Sequence, residues 1–307
     1  MIGVWGSQAL VYLAALVFVA GIARKIARYA GAPMHLRWEL YPVPHEAGKE
    51  YGGSYMEELD WWSKPRHASL PREVKAMAAE ILLLETVWRH NRKVWAASFP
   101  FHIGMYLSVG FILLAVVGGI AQALGAMVAP GSGGVLPALY YLTVVVGVLG
   151  MLAVVGGALG LLALRLGDAG MRRYSVPADY FNLAFIFVIA LVGLCSWVFA
   201  DPSFDVLRTY VRGLVTLSPP ATVPGAVVAE VTLLSLFMIY MPFTHMTHFI
   251  GKYFTYHSVR WDDSPNLACS RYERQLTELL SRSVNWSAPH IGKGGKWSEV
   301  VTRRIDE

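Results

Sequence analysis

Five long runs of apolar residues constrain this 307-residue chain more than any other feature. About 18 consecutive apolar residues suffice for a helix to cross a hydrocarbon core of roughly 30 Å. In lipid only helices and closed barrels satisfy their backbone, and these unalternating runs fit helices. The sequence therefore predicts an all-α integral membrane protein with a five-helix transmembrane bundle. The predicted spans are 4–23, 98–128, 136–164, 180–200 and 223–254.

The basic residues predict the orientation of these spans. Of the 26 Lys and Arg residues, only Arg208 and Arg212 fall on one side, and the other 24 share the opposite side. The positive-inside rule then places the N-terminus outside and the C-terminus in the cytoplasm of a multi-pass protein of the cell inner membrane. Basic flanks beside membrane lipid explain the net charge of +5, so no nucleic-acid partner is expected.

The pattern divides the chain into four parts. Residues 1–23 form the first transmembrane helix, an uncleaved anchor because its basic residues follow the apolar run. Residues 24–95 form a cytoplasmic segment with an interfacial helix that starts near Leu70. Residues 96–256 form a four-helix membrane core, and 257–307 a cytoplasmic tail.

Cysteine content excludes one class of redox centre. An iron–sulfur cluster normally needs four cysteine ligands, and the chain has only Cys195 and Cys269. No glycine-rich nucleotide-binding motif or P-loop is present either. Any soluble redox centre must therefore come from another subunit.

Two histidines inside apolar runs are candidate haem ligands. His102 lies nine residues after Lys93, and His248 lies four residues before Lys252 on a helix of opposite direction. At about 1.5 Å per residue, both fall within roughly 6–15 Å of the cytoplasmic boundary, where they can hold one haem between them. Pro242 predicts a kink just before the second histidine. A membrane histidine can also simply hydrogen-bond a neighbouring helix, and His245 is an equally placed candidate by geometry.

Two stretches resemble a known family. ILLLETVWRHNRKVWAASFPFHIGMY and MPFTHMTHFIGKYF resemble segments of the gamma subunit of respiratory nitrate reductase. The chain looks closer still to the cytochrome b subunits of heterodisulfide-reductase-like menaquinol complexes of sulfate reducers, over about residues 80–261. The Phe-His pair and the Pro-Phe-x-x-x-x-His register imply that His102 and His248 ligate haem b, with His248 favoured over His245.

The chain departs from the two-haem members of that family. Their second pair of histidines corresponds here to Ile112 and Glu230. The resemblance therefore implies a single haem b, on the cytoplasmic side. The long segment 24–95 also departs from nitrate reductase, which argues against a nitrate-reducing partner.

The resemblance implies an electron-transfer subunit of a quinol oxidoreductase complex, working between menaquinone and a cytoplasmic iron–sulfur subunit. Glu230 is a candidate proton acceptor for quinol oxidation, or alternatively a partner of Arg208 or Arg212. Arg172 and Arg173 are candidate partners of the haem propionates, although positive-inside placement explains them equally well.

Two further expectations follow from the residues themselves. The third span carries Gly147, Gly150, Gly156, Gly157 and Gly160, which we interpret as close-packing residues. The alternative function is a haem-free membrane anchor or a transporter component. Five spans without repeated halves argue against the transporter.

Overall fold

The protein is all-helical in its computed structural model, which describes residues 3–33, 41–46, 54–289 and 291–303. Within those ranges the only β-type pairings are two isolated bridges in the C-terminal region. Among the described residues, five helices are long and apolar enough to cross a membrane. The predictions of an all-α fold with five spans and of a multi-pass membrane protein are confirmed.

The helices are numbered in chain order. The long apolar ones are α1 (Val4–Ala30), α4 (Arg92–Ala123), α5 (Leu136–Gly167), α7 (Pro177–Phe199) and α9 (Gly225–Tyr240). The shorter ones are α2 (Leu70–Leu82), α3 (Glu85–His90), α6 (Ala169–Tyr174), α8 (Asp205–Val215), α10 (His248–Thr255), α11 (Arg271–Leu280) and α12 (Trp297–Thr302).

The chain forms two compact units. The first comprises Met1–Ile22 and Met77–His245, and it contains α4 to α9. The second comprises Ala23–Ala76 and Met246–Glu307, and it contains α10 to α12. The boundary between the units therefore falls inside the predicted fifth span.

Glycines bring α4 and α5 into close contact in the first unit. A Cβ atom at Gly104 would lie 2.5 Å from the backbone nitrogen of Val154, so only glycine fits there. On α5, Gly147, Gly150, Gly157 and Gly160 all face side chains or backbone of α4. Small residues allow this approach in membranes, where dispersion rather than the hydrophobic effect drives helix association. The close-packing interpretation holds for these four and is wrong for Gly156, which faces open space.

An additional amphipathic helix, α8, follows α7 and precedes α9 in the sequence. It packs on α4, where a Cβ at Gly118 would lie 2.5 Å from Cδ of Arg208. The side chain of Arg208 is fully buried, and its guanidinium lies 5.5 Å from the ring centre of Tyr140. The hydroxyl groups of Tyr210 and Ser7 hydrogen-bond at 2.8 Å, which ties α1 to α8. We did not predict this helix, because its eleven residues are too polar and too short for a span.

The predicted fifth span is not one continuous helix. Helix α9 ends at Tyr240, and 3₁₀ turns at Met241–Phe243 and His245–Thr247 precede α10. Proline lacks a backbone N–H, and its ring clashes with the carbonyl group four residues earlier. Pro242 therefore breaks the helix rather than only kinking it.

In the second unit the polar segments are partly ordered around buried side chains. The buried side chains include Val43, Tyr55 and Val284, and Trp61 is of intermediate exposure. The short 3₁₀ turn Tyr55–Glu57 begins after Ser54. Helix α11 begins after Ser270, whose hydroxyl accepts a hydrogen bond from the backbone N–H of Glu273. An N-cap of this kind satisfies one free donor at the helix start.

The end of α2 is attached to α4 within the first unit. The hydroxyl of Tyr106 donates to the carbonyl of Ile81 at 2.9 Å, and the indole of Trp95 donates to the carbonyl of Leu83 at 2.8 Å. Helix α2 begins at Leu70 as predicted. These two bonds satisfy carbonyls that the end of α2 leaves without helical partners.

Candidate haem-ligand residues

His102 lies in the apolar part of α4 with its ring half-buried. Its Nδ1 atom lies 2.8 Å from the backbone oxygen of Ser98, one turn earlier. A carbonyl oxygen can only accept, so Nδ1 carries the hydrogen and Nε2 carries the lone pair. A histidine that binds a metal commonly donates its other ring N–H to a carbonyl in this way. The contact of Nδ1 with Ser98 therefore matches the hydrogen bond that a haem-ligating histidine makes.

Contact between two helices sets the position of His102. Gly157 of α5 lies directly against the backbone of Phe101, the residue before the histidine. One turn further along α5, Gly160 faces Ala97. These two contacts fix the axial position of α4 relative to α5 near the imidazole of His102.

His248 lies in the second unit as the first residue of α10, and its side chain is exposed. The preceding residue, Thr247, is buried and accepts a hydrogen bond from Lys25 of α1. This bond attaches the start of α10 to the end of α1.

His245 lies in the first unit and has a carboxylate partner. Its Nε2 atom lies 3.3 Å from Oδ1 of Asp179, near the start of α7. Asp179 also lies 3.5 Å from Arg165, at the end of α5. The ring nitrogen of His245 that a metal would normally use therefore faces a carboxylate.

The two positions that correspond to the ligands of a second haem are not histidines. Ile112 presents a partly exposed aliphatic side chain on α4. Glu230 on α9 hydrogen-bonds Ser196 of α7 and lies beside Gly193 of the same helix. Neither residue supplies an imidazole, so this pair cannot ligate a haem as a bis-histidine site does.

Comparison with known protein families, curated proteins and solved structures found no match.

Arg208 and Arg212 do not pair with Glu230 in the described part of the chain. The nearest carboxylate to Arg208 is that of Asp205, at 3.7 Å, and Arg208 donates to the carbonyl of Ser203 at 3.0 Å. Glu230 instead has a hydroxyl group as its hydrogen-bond partner. Its carboxylate is thus held in an apolar span without an arginine beside it.

Arg172 and Arg173 both lie on the exposed surface of α6. Arg172 donates to the backbone oxygen of Leu166 at 3.0 Å, so it caps the end of α5. A basic side chain at a helix C-terminus is also favourable to the helix dipole. This capping role explains Arg172 without any haem propionate.

The second unit contains a cavity of about 500 Å³. Its lining includes the aromatic rings of Tyr29 and Phe254 and the polar groups of Asp262 and Tyr272. The hydroxyl of Tyr272 donates to the carboxylate of Asp262 at 2.6 Å. Burial and that bond raise the pKa of Tyr272, which therefore stays protonated and keeps donating.

Sequence reasoning missed one cluster entirely. His45, to which we assigned no role, lies buried beside Glu46 and Asp263. Asp263 lies more than 200 positions after His45 and Glu46 along the chain, so no local spacing indicates their contact. The adjacent His-Glu pair in a proline-rich segment was the only available signal.

Proposed function

We propose that this chain is the haem b membrane subunit of a respiratory complex, which passes electrons between menaquinol and a cytoplasmic iron–sulfur subunit. The observation that carries the proposal is the contact of Nδ1 of His102 with the carbonyl oxygen of Ser98 inside an apolar span. A half-buried imidazole in a membrane helix is costly unless it has a function, and this one has its Nδ1–H committed to a carbonyl oxygen.

The residues of the chain would hold the cofactor and move protons. His102 and His248 would be the axial ligands, and His245 would stay with Asp179. Haem b, when bound, supplies reversible one-electron chemistry at its iron. Arg173 is the better placed of the two arginines for a propionate, because the guanidinium of Arg172 already caps α5.

The residues at the other end of the bundle support the proposal of only one haem for each chain. Ile112 replaces one ligand, and Glu230 replaces the other. Two turns beyond Ile112, the helix α8 packs on α4 at Gly118 and Gly119. Protein side chains, among them the buried Arg208, therefore occupy space beside α4 in that region.

Glu230 is proposed as the proton acceptor in quinol oxidation. Oxidising a quinol releases protons as well as electrons, so a base is needed near the site. The carboxylate of Glu230 lies in an apolar span beside a hydroxyl group, with no cation adjacent to it in the part of the chain that the structure describes. The quinol site itself is expected to open sideways to the lipid within electron-transfer reach of the haem.

Purification of the whole complex from membranes tests this function. We expect a reducible b-type absorption spectrum, one haem for each chain, and co-purification of an iron–sulfur subunit. Two haems for each chain would contradict the assignment of Ile112 and Glu230. A preparation without haem would instead support a haem-free membrane anchor.

A further inference from the structure

Three buried side chains meet in the second unit. One ligand atom from each of His45, Glu46 and Asp263 lies within 4.8 Å of the other two. Their relative exposures are 6%, 7% and 0%. Burying charged groups costs free energy unless they are paired or bind a metal ion. This cluster is independent of the haem ligands, since it uses none of them.

The hydrogen bonds of His45 leave one ring nitrogen mismatched. Nε2 lies 2.9 Å from Oδ2 of Asp263, so without a cation this nitrogen donates its hydrogen to the carboxylate. Nδ1 has no hydrogen-bond partner among the described residues, and in a neutral imidazole it then carries a lone pair. That lone pair faces the carboxylate of Glu73 at 3.8 Å, and two acceptors facing each other repel.

A metal ion resolves the mismatch. If the hydrogen moves to Nδ1, this atom becomes a donor toward Glu73, and the lone pair of Nε2 joins the oxygens of Asp263 and Glu46. Around protein-bound zinc, a histidine often binds the metal through one ring nitrogen and donates a hydrogen bond to a carboxylate through the other. His257 lies 2.8 Å from the other oxygen of Glu73 and holds that carboxylate in position.

The local charges also favour a cation. Arg66 lies 2.6 Å from Oδ1 of Asp263, and among the described residues no ion pair joins a Lys or Arg to Glu46. Glu46 accepts hydrogen bonds from the hydroxyl of Ser54 and from the backbone N–H of Tyr55. Burial and the adjacent Asp263 both raise the pKa of Glu46, because each disfavours a second negative charge at this position.

We propose that His45, Glu46 and Asp263 bind one divalent transition-metal ion, with Zn²⁺ the expected occupant and Glu73 supporting His45. Nitrogen and oxygen ligands at about 2.0–2.2 Å suit this ion. The site joins the segment 41–46 to the residues that follow the helical turn Tyr256–Arg260. Its role is to clamp these two distant parts of the second unit together.

Metal analysis of the full-length chain in detergent tests the site. After treatment with a chelator and reloading with Zn²⁺, we expect one zinc for each chain by mass spectrometry. His45→Gln and Asp263→Asn should each abolish stoichiometric zinc. Glu73→Gln should weaken zinc binding by roughly 10- to 100-fold, as expected for a residue that supports a ligand. His67→Gln is the matched control, because His67 is an exposed histidine of the same unit, and it should leave the zinc content unchanged.

X-ray absorption at the zinc edge tests the wild-type chain without relying on the folding of any variant. We expect nitrogen and oxygen neighbours only, with the outer-shell scattering of one imidazole. Failure of the wild-type chain to retain zinc would overturn the proposal. Sulfur ligands, or zinc retained in both ligand variants, would place the metal elsewhere and also overturn it.

Discussion

Gly157 on α5 lies directly against the backbone of Phe101 on α4. No side chain fits between the two helices at this point. The next residue of α4 is His102, so the same contact that packs the bundle also positions a candidate haem ligand. A change at Gly157 should therefore affect both stability and haem binding.

The first prediction compares two adjacent glycines of α5. Gly157→Ala forces a methyl group into the backbone of α4, and overpacking of this kind costs typically about 1–3 kcal/mol. Gly156→Ala is the control, because Gly156 faces open space. We expect a lower thermal unfolding midpoint and a perturbed haem spectrum in the first variant only. Equal midpoints for the two variants would show that the α4–α5 contact is looser than described.

The second prediction concerns the axial ligands. His102→Ala and His248→Ala should each remove the b-type spectrum, because each would delete one of two ligands. His245→Ala should keep that spectrum, since its Nε2 atom faces Asp179. Reduced-minus-oxidised absorption spectra of purified complexes measure the outcome. An intact spectrum in either ligand variant, or its loss in His245→Ala, would reassign the site.

The third prediction isolates the role of Glu230. Glu230→Gln keeps the size of the side chain and its hydrogen bond to Ser196 but cannot accept a proton. We expect an unchanged haem spectrum and reduction by a menaquinol analogue slowed by roughly 100-fold, a typical contribution of a general base. Glu278→Gln removes an exposed carboxylate of α11 and should leave the rate unchanged. Wild-type kinetics in Glu230→Gln would remove this residue from the proton path.

The fourth prediction tests the orientation in the membrane. In a chain with Cys195→Ser and Cys269→Ser, single cysteines replace Gly131 or Gly167, two exposed glycines with open space around them. The positive-inside rule places the first outside and the second in the cytoplasm. A membrane-impermeant maleimide should thus label only Gly131→Cys in intact spheroplasts, and both after permeabilisation. The reverse pattern would invert the topology.

The sequence alone determined the membrane class and the number of spans. Runs of apolar residues report directly on the lipid environment, because backbone groups in hydrocarbon must be satisfied within each helix. The same patterns placed His102 in an apolar helix. They also indicated that glycines of α5 are close-packing residues, which is correct for all of the predicted ones except Gly156.

The tertiary structure decided the features that depend on contacts distant in sequence. In the tertiary structure the amphipathic α8 packs on α4, the helix of the fifth span ends before Pro242, and His245 lies beside Asp179. The tertiary structure also joins His45 to Asp263 across 218 positions of sequence. Periodicity describes only the face that a residue occupies on its own element. The partner on the facing element follows from how the helices pack, and in this chain that is set by where glycines allow close approach.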